Sequence, residues 1–134
     1  MSTVHISPAV SLKKTVGAFQ QSIELREGDE LIGNARWICS GDSSEGVVQI
    51  LELNVSAGRG RRGNGRALMD HLTQQAKDYF KLHNIKLRRI WIVIEQKRQV
   101  IGRSFLMKFG FHHVGTVHEM LKDEDLLVYM RTFD

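Results

Sequence analysis

Two near-continuous apolar runs, VVQILELNV (residues 47–55) and RRIWIVIE (88–95), bracket one glycine-rich segment and one helical period. This order constrains the chain more than any other feature. Two strands joined through a helix are normally parallel neighbours linked by a right-handed crossover. In the first run Val47, Val48, Ile50, Leu51, Leu53 and Val55 are apolar, which predicts a strand covered on both faces. After Gly65 the period changes. Leu68, Leu72, Ala76, Tyr79, Phe80 and His83 recur at helical intervals, while Asp70, Gln74, Lys77 and Lys81 fall between them. The helix should stop near Asn84, a residue that tolerates the left-handed conformation. The second run then reads as a buried strand.

The flanking segments complete a sheet. QQSIELR and ELIGNARWICS alternate on either side of the turn EGD, and GDSSEG is a second turn. QVIGRSFLMKF reads as a short helix ended by Gly110, and FHHVGTVHE and LLVYMRTF as two closing strands around KDED. His112 and His113 are consecutive, so on a strand one should pack and the other face solvent. Trp37 and Trp91 sit in apolar strands and read as core residues. Cys39 has no basic neighbour in sequence and reads as a packed thiol rather than a nucleophile.

The segment AGRGRRGNGRAL (57–68) lies at the carboxyl end of one strand and the amino end of a helix. Free N–H groups and the positive end of the helix dipole meet there, and a phosphate is the natural occupant. Glycine lets the backbone approach oxygen closely, and arginine supplies forked donors. Arg59, Arg61, Arg62 and Arg66 have no acidic neighbour between Ala57 and Met69. Three other readings compete. Gly58–Gly63 matches the dinucleotide pattern GxGxxG, yet further βαβ units are lacking and the position about 20 residues on is His83, not an acid. A nucleic-acid-binding arginine–glycine tract belongs in a disordered segment with interleaved aromatics, whereas this one is clamped between a strand and a helix. A plain solvated turn explains the glycines but not four arginines without acidic partners.

The chain has 134 residues, 42% hydrophobic and 25% charged, which predicts one folded domain over 1–134. Its net charge of +4 permits an anionic ligand without requiring nucleic acid. IWIVI is too short for a bilayer span of about 20 residues, and the N-terminus lacks the pattern of an export signal. One cysteine cannot form an internal disulfide, which fits a reducing, cytoplasmic setting. The six histidines show no ligand spacing with Cys39, so no metal is expected.

RGNGRAL (62–68) resembles the Arg/Gln-x-x-Gly-x-Gly/Ala signature of the GNAT acyltransferases, and FLMKFGF (105–111) resembles that family's second landmark, a helix end followed by Gly-Phe. The resemblance covers about residues 20–131. It implies an α/β fold: a mixed, mostly antiparallel sheet with one parallel βαβ unit and splayed central strands. It also implies transfer of acetyl from acetyl-CoA to a primary amine, in a small molecule or a protein, by direct attack in a ternary complex. Pantetheine would pair with the backbone near Leu53 to Val55. The diphosphate would sit on N–H groups from Arg62 through Gly63, Asn64, Gly65 and Arg66 to Ala67, and Gln99 stands where the family often contacts coenzyme A. Three departures stand out. The loop from Val55 to Arg62 is about two residues longer than the family's usual loop, and its extra arginines reach either the 3′-phosphate or solvent. Leu106 occupies the place of the usual acidic tyrosine, with Ser104 nearby. Only about 20 residues precede the first expected strand, so the N-terminal helices are shortened or absent, which suggests an open site, a large acceptor or a homodimer.

Glu52, between Leu51 and Leu53 on the strand beside the pantetheine gap, is the expected general base, since a carboxylate among apolar neighbours has a raised pKa. The competing reading pairs Glu52 with an arginine on the next strand. Glu95 is the reserve base, and a backbone N–H could polarise the thioester. Two alternatives to an acetyltransferase remain: a non-catalytic acyl-CoA-binding module and, behind it, a basic nucleic-acid-binding domain.

Overall fold

The computed structural model describes residues 2–5, 10–16, 20–56, 63–96 and 102–134. Eight strands form one sheet: β1 (Ser2–His5), β2 (Val10–Val16), β3 (Gln21–Glu27), β4 (Glu30–Cys39), β5 (Val47–Val55), β6 (Arg89–Glu95), β7 (His112–Leu121) and β8 (Glu124–Thr132). A 3-10 turn at Ser43–Glu45 precedes β5. Helix α1 (Asn64–Lys81) links β5 to β6, and α2 (Arg103–Lys108) lies between β6 and β7. The strand order is β1-β2-β3-β4-β5-β6-β8-β7. Only β5 and β6 run parallel; every other neighbouring pair is antiparallel. The sheet is the mixed, mostly antiparallel one expected, with its single βαβ unit where the glycine segment and the helical period placed it.

Both helices end as the sequence predicts. Asn84 adopts a left-handed φ of 56° and Gly110 one of 82°. At each end the following amide reaches back five residues, Ile85 N–H to the Phe80 carbonyl at 2.9 Å and Phe111 N–H to the Leu106 carbonyl at 3.1 Å. This is the Schellman closure, which satisfies carbonyls a helix end otherwise leaves open. Among the described residues no helix is long and apolar enough to cross a membrane.

Helix α1 packs against β3, β4 and β5. Its Leu68, Met69, Leu72, Ala76 and Phe80 are fully buried with Ile23, Leu25, Ala35, Trp37, Val48, Ile90 and, from α2, Leu106. The alternate residues on the other face of the sheet, Trp91, Val93, Leu126, Val128 and Met130, are only half-buried. The expectation that residues 47–55 are covered on both faces is therefore corrected, Val47 and Gln49 being half-buried and Leu51 exposed, and the second run is buried on one face alone. A strand inside a wide sheet draws apolar residues to both faces because its neighbours' side chains shield it, even without a second covering layer. Trp37 is buried and donates to Gln75 Oε1 at 2.9 Å, whereas Trp91 is half-buried and donates to Ser40 Oγ at 3.1 Å. Cys39 packs against the core edge.

The N-terminal segment contains two strands that periodicity did not reveal. Val16 pairs with Gln21, so β2 and β3 form a hairpin joined by residues 17–20. Four residues leave no room for a pair of helices there, in line with the expected shortening. His112 and His113 are both exposed, not one packed and one free. They lie on the edge strand, and the register shift between His113 and Gly115 breaks the alternation at once.

Candidate functional site

The ladder between β5 and β6 is short. Val47, Val48, Gln49 and Ile50 pair with Arg89, Ile90, Trp91 and Ile92, and the pairing ends there. Both strands continue, β5 to Val55 and β6 to Glu95. Beyond Ile50, β5 pairs only with β4, through Glu52↔Arg36, Leu53↔Ala35, Asn54↔Asn34 and Val55↔Gly33. The central strands thus part at their carboxyl ends, and the main-chain groups of residues 51–55 on the β6 side have no strand partner among the described residues.

A bulge sits at the parting point. Trp37 pairs with Ile50 and Arg36 with Glu52, which leaves Leu51 as an extra residue in β5. Leu51 is 42% exposed despite its place in an apolar run. The extra residue also reverses the alternation. Val48 and Ile50 face α1 before it, and Leu53 and Val55 do so after it, so Glu52 and Asn54 turn to the opposite, uncovered face.

There Glu52 meets polar groups rather than the apolar ones expected. Arg36 Nε donates to Glu52 Oε2 at 2.6 Å, and Asn54 Nδ2 donates to Oε1 at 2.8 Å. Arg36 Nη1 also donates to Gln20 Oε1 at 3.3 Å. Hydrogen bonding from the Asn34 amide and the Arg36 guanidinium, with the positive charge of Arg36 and the Asn54 amide adding to it, holds the Glu52 carboxyl below its ordinary value, against an opposing effect of partial burial. The expected raised pKa is overturned, and the pairing with an arginine on the neighbouring strand is what forms. Asn34, Arg36 and Asn54 were missed by the sequence reading. Their trace is the spacing of two between Asn34 and Arg36 in β4 and between Glu52 and Asn54 in β5, which an apolar count passes over.

The other side of the parting is the start of α1. Gly63 is the residue before its first turn, exposed, with φ of 79°. It has no side chain to place on the amides that follow, and among the described residues no side-chain cap forms at this end. The first amides of a helix lack intrahelical partners, and the first backbone bond at this end runs from Ala67 N–H to the Gly63 carbonyl at 2.9 Å. Asn64 is buried, Arg66 is 80% exposed and Ala67 is half-buried. Arg66 does not point its charge freely toward the loop: its Nε lies 3.9 Å from Asp70, one turn along the helix. Gly65 has a role beyond backbone approach. A Cβ there would lie 3.0 Å from Phe105 Cε2 and 3.7 Å from Val55 Cγ2, so the glycine lets the starts of α1 and α2 and the end of β5 close together. Leu106, at the place of the usual tyrosine, is fully buried in the core, and Ser104 is exposed. Arg62 and Gln99, with Gly58 to Arg61, lie outside the described residues.

No protein-family model matches the sequence, and no curated protein matches it. Solved structures do match in fold. An IAA acetyltransferase from Bacillus cereus superposes with a TM-score of 0.74 at 11% identity, over 92% of this chain and 99% of that one. A GNAT family acetyltransferase from Elizabethkingia anophelis, with acetyl-CoA bound, gives 0.72 at 13% identity, over 95% and 100%. The ribosomal-protein-S18-alanine N-acetyltransferase of Escherichia coli gives 0.68 at 15%, over 87% and 71%. With its parted β5 and β6, its single βαβ unit and these neighbours, the chain has the fold of the GNAT acetyltransferases.

Proposed function

We propose that this protein is a member of the GNAT superfamily that transfers an acetyl group from acetyl-CoA to a primary amine by direct attack in a ternary complex. The observation that carries the reading is the end of the β5–β6 ladder at Ile50 and Ile92, one residue before the Leu51 bulge and beside the uncapped start of α1. A gap with open main-chain groups on one wall and helix amides at its mouth suits an extended, hydrogen-bonding chain that ends in a diphosphate. The acetyl-CoA held by the Elizabethkingia anophelis structure supports the same assignment.

In this reading the backbone from Leu53 to Val55 aligns the pantetheine and the start of α1 from Gly63 to Arg66 receives the diphosphate, the Ala67 N–H being taken by the Gly63 carbonyl; Arg62 and Gln99 are further candidate contacts to coenzyme A. Acetyl-CoA supplies an activated acyl group. The transfer forms one N–C bond, breaks one C–S bond and moves one proton from the nitrogen to the departing sulfur. Glu52 is suited to orient the amine rather than to neutralise it beforehand. Taking a proton from a lysine-type ammonium of pKa about 10.4 onto a carboxyl below 4.5 is uphill by roughly 8 kcal/mol. The amine therefore enters as the minor neutral form supplied by its equilibrium with bulk solvent, and Glu52 accepts a hydrogen bond from the attacking nitrogen. A second reading, binding without turnover, is favoured by one observation: Leu106 fills the place of the tyrosine acid with a fully buried hydrocarbon.

The test is thermal unfolding with about 1 mM acetyl-CoA, followed by thiol release over a panel of amines and peptides. Stabilisation with turnover supports acyl transfer. A shift no larger than that of buffer overturns the reading, and stabilisation without thiol release from any amine favours the binding module.

A further inference from the structure

The open face beside the gap carries a built ion pair, and its composition says what kind of amine it suits. Arg36 and Glu52 stand directly opposite each other in the β4–β5 register, on the face that α1 does not cover. They are joined at 2.6 Å, yet both remain reachable, at 41% and 31% side-chain exposure. Each keeps unused capacity. A guanidinium has five N–H donors, and Arg36 directs its Nε to Glu52 and one Nη1 donor to Gln20. A carboxylate has about four acceptor sites, and hydrogen bonds from Arg36, Asn54 and the Asn34 amide leave Glu52 about one of them.

The rest of that face does not favour a polycation. Alternation and register place Lys13, Glu24 and Arg26 there with Arg36 and Glu52, and Arg26 Nε lies 3.2 Å from Glu24. The register of β6 and β8 adds Arg89, Glu95 and Glu124 to the same face, so among the described residues four cations meet four anions and leave no net acidic surface to gather several ammonium groups at once. What the pair offers is a fixed dipole: a carboxylate that accepts from an ammonium or amine, and, beside it, a guanidinium whose outer nitrogens can hold an anion in forked geometry.

We propose that the Arg36–Glu52 pair reads the acceptor as a zwitterion, so that the amine acetylated is one bearing a carboxylate close by, an amino-acid-type substrate, with its nitrogen on Glu52 and its carboxylate on the outer nitrogens of Arg36. This rests on the acyl-transfer reading and adds the acceptor class to it. Lone amines and polyamines leave the guanidinium donors unmatched and are poor acceptors.

The experiment compares the common amino acids with their decarboxylated amines and with spermidine, reading thiol release from acetyl-CoA and, in parallel, calorimetric binding of the same compounds to the protein saturated with coenzyme A. The expected result is a preference of about tenfold or more in kcat/KM for the carboxylate-bearing member of a pair, the scale of a charge-assisted contact. Arg36→Gln should erase that preference mainly through KM, and Arg36→Lys should restore part of it. Equal or better use of the decarboxylated amines overturns the proposal, as does a preference that survives Arg36→Gln. So does the absence of both turnover and binding for every carboxylate-bearing amine. Thermal stabilisation by acetyl-CoA, measured on the same preparations, separates the two levels. Stabilisation without carboxylate preference removes only the zwitterion assignment, whereas no stabilisation removes acyl transfer and this assignment with it.

Discussion

Arg36 Nε lies 2.6 Å from Glu52 Oε2 across the β4–β5 ladder, one register step past the residue that bulges out of β5. The bulge and the pair are one arrangement. Without Leu51 as an extra residue, Glu52 would fall in phase with Val48 and Ile50 and point under α1. There it would be a buried charge, which costs several kcal/mol unless paired and hydrogen-bonded.

The pair makes a pH-dependent contribution to stability. The folded-state pKa of Glu52 is depressed below its ordinary 4.5, so the contribution is fully present above pH 4.5 and is lost as pH falls through the folded value. Both side chains are substantially exposed, so its size is about 0.5–1 kcal/mol. Urea unfolding of the wild type and Glu52→Gln should differ by that amount at pH 7 and converge as the pH falls through the folded-state value below 4.5. A difference unchanged between the two conditions contradicts the pairing.

Gly63 needs its positive φ. Nothing lies within 4 Å of a Cβ built there, so the cost of a side chain is conformational and not steric crowding by neighbours. Gly63→Ala should lower stability by about 1–2 kcal/mol, and Gly63→Asn by less, because Asn visits the left-handed region more readily. Denaturant midpoints at constant slope check this order.

Gly65 should behave differently, through crowding. Its Cβ would meet Phe105 at 3.0 Å, so Gly65→Ala should cost about 1–3 kcal/mol by overpacking the junction of α1 and α2. In a Phe105→Leu background most of that cost should vanish. A double-mutant cycle measures the coupling, and simple additivity would show that the contact does not govern the position.

Trp37 and Gln75 form the buried polar contact between sheet and helix. The indole N–H donates to Gln75 Oε1 at 2.9 Å, while Gln75 Nε2 has no partner among the described residues. Gln75→Leu should destabilise by about 1–3 kcal/mol, because it strands the indole N–H in the core. Trp37→Phe with Gln75→Leu should be more stable than the sum of the single changes predicts, measured by thermal and denaturant unfolding.

The sequence by itself determined the order of elements in the half of the molecule that matters most. Apolar runs at 47–55 and 88–95 became β5 and β6, the helical period from Leu68 to Phe80 became the buried stripe of α1, and Asn84 and Gly110 closed their helices as local backbone chemistry requires. These features follow from a residue's own conformational preferences and from its near neighbours in the chain. The short strands β1 and β2 escaped because their pairing lies in a hairpin whose apolar alternation is weak. What tertiary structure alone decided is the side to which each residue turns and the partner it meets there. The phase of β5 reversed at Leu51, Glu52 found Arg36 instead of an apolar pocket, and Gly65 made room for Phe105 from a helix about forty residues away. A bulge depends on a mismatch between two strands, and a pKa on charges brought close by folding, so neither is visible in a stretch of chain read alone.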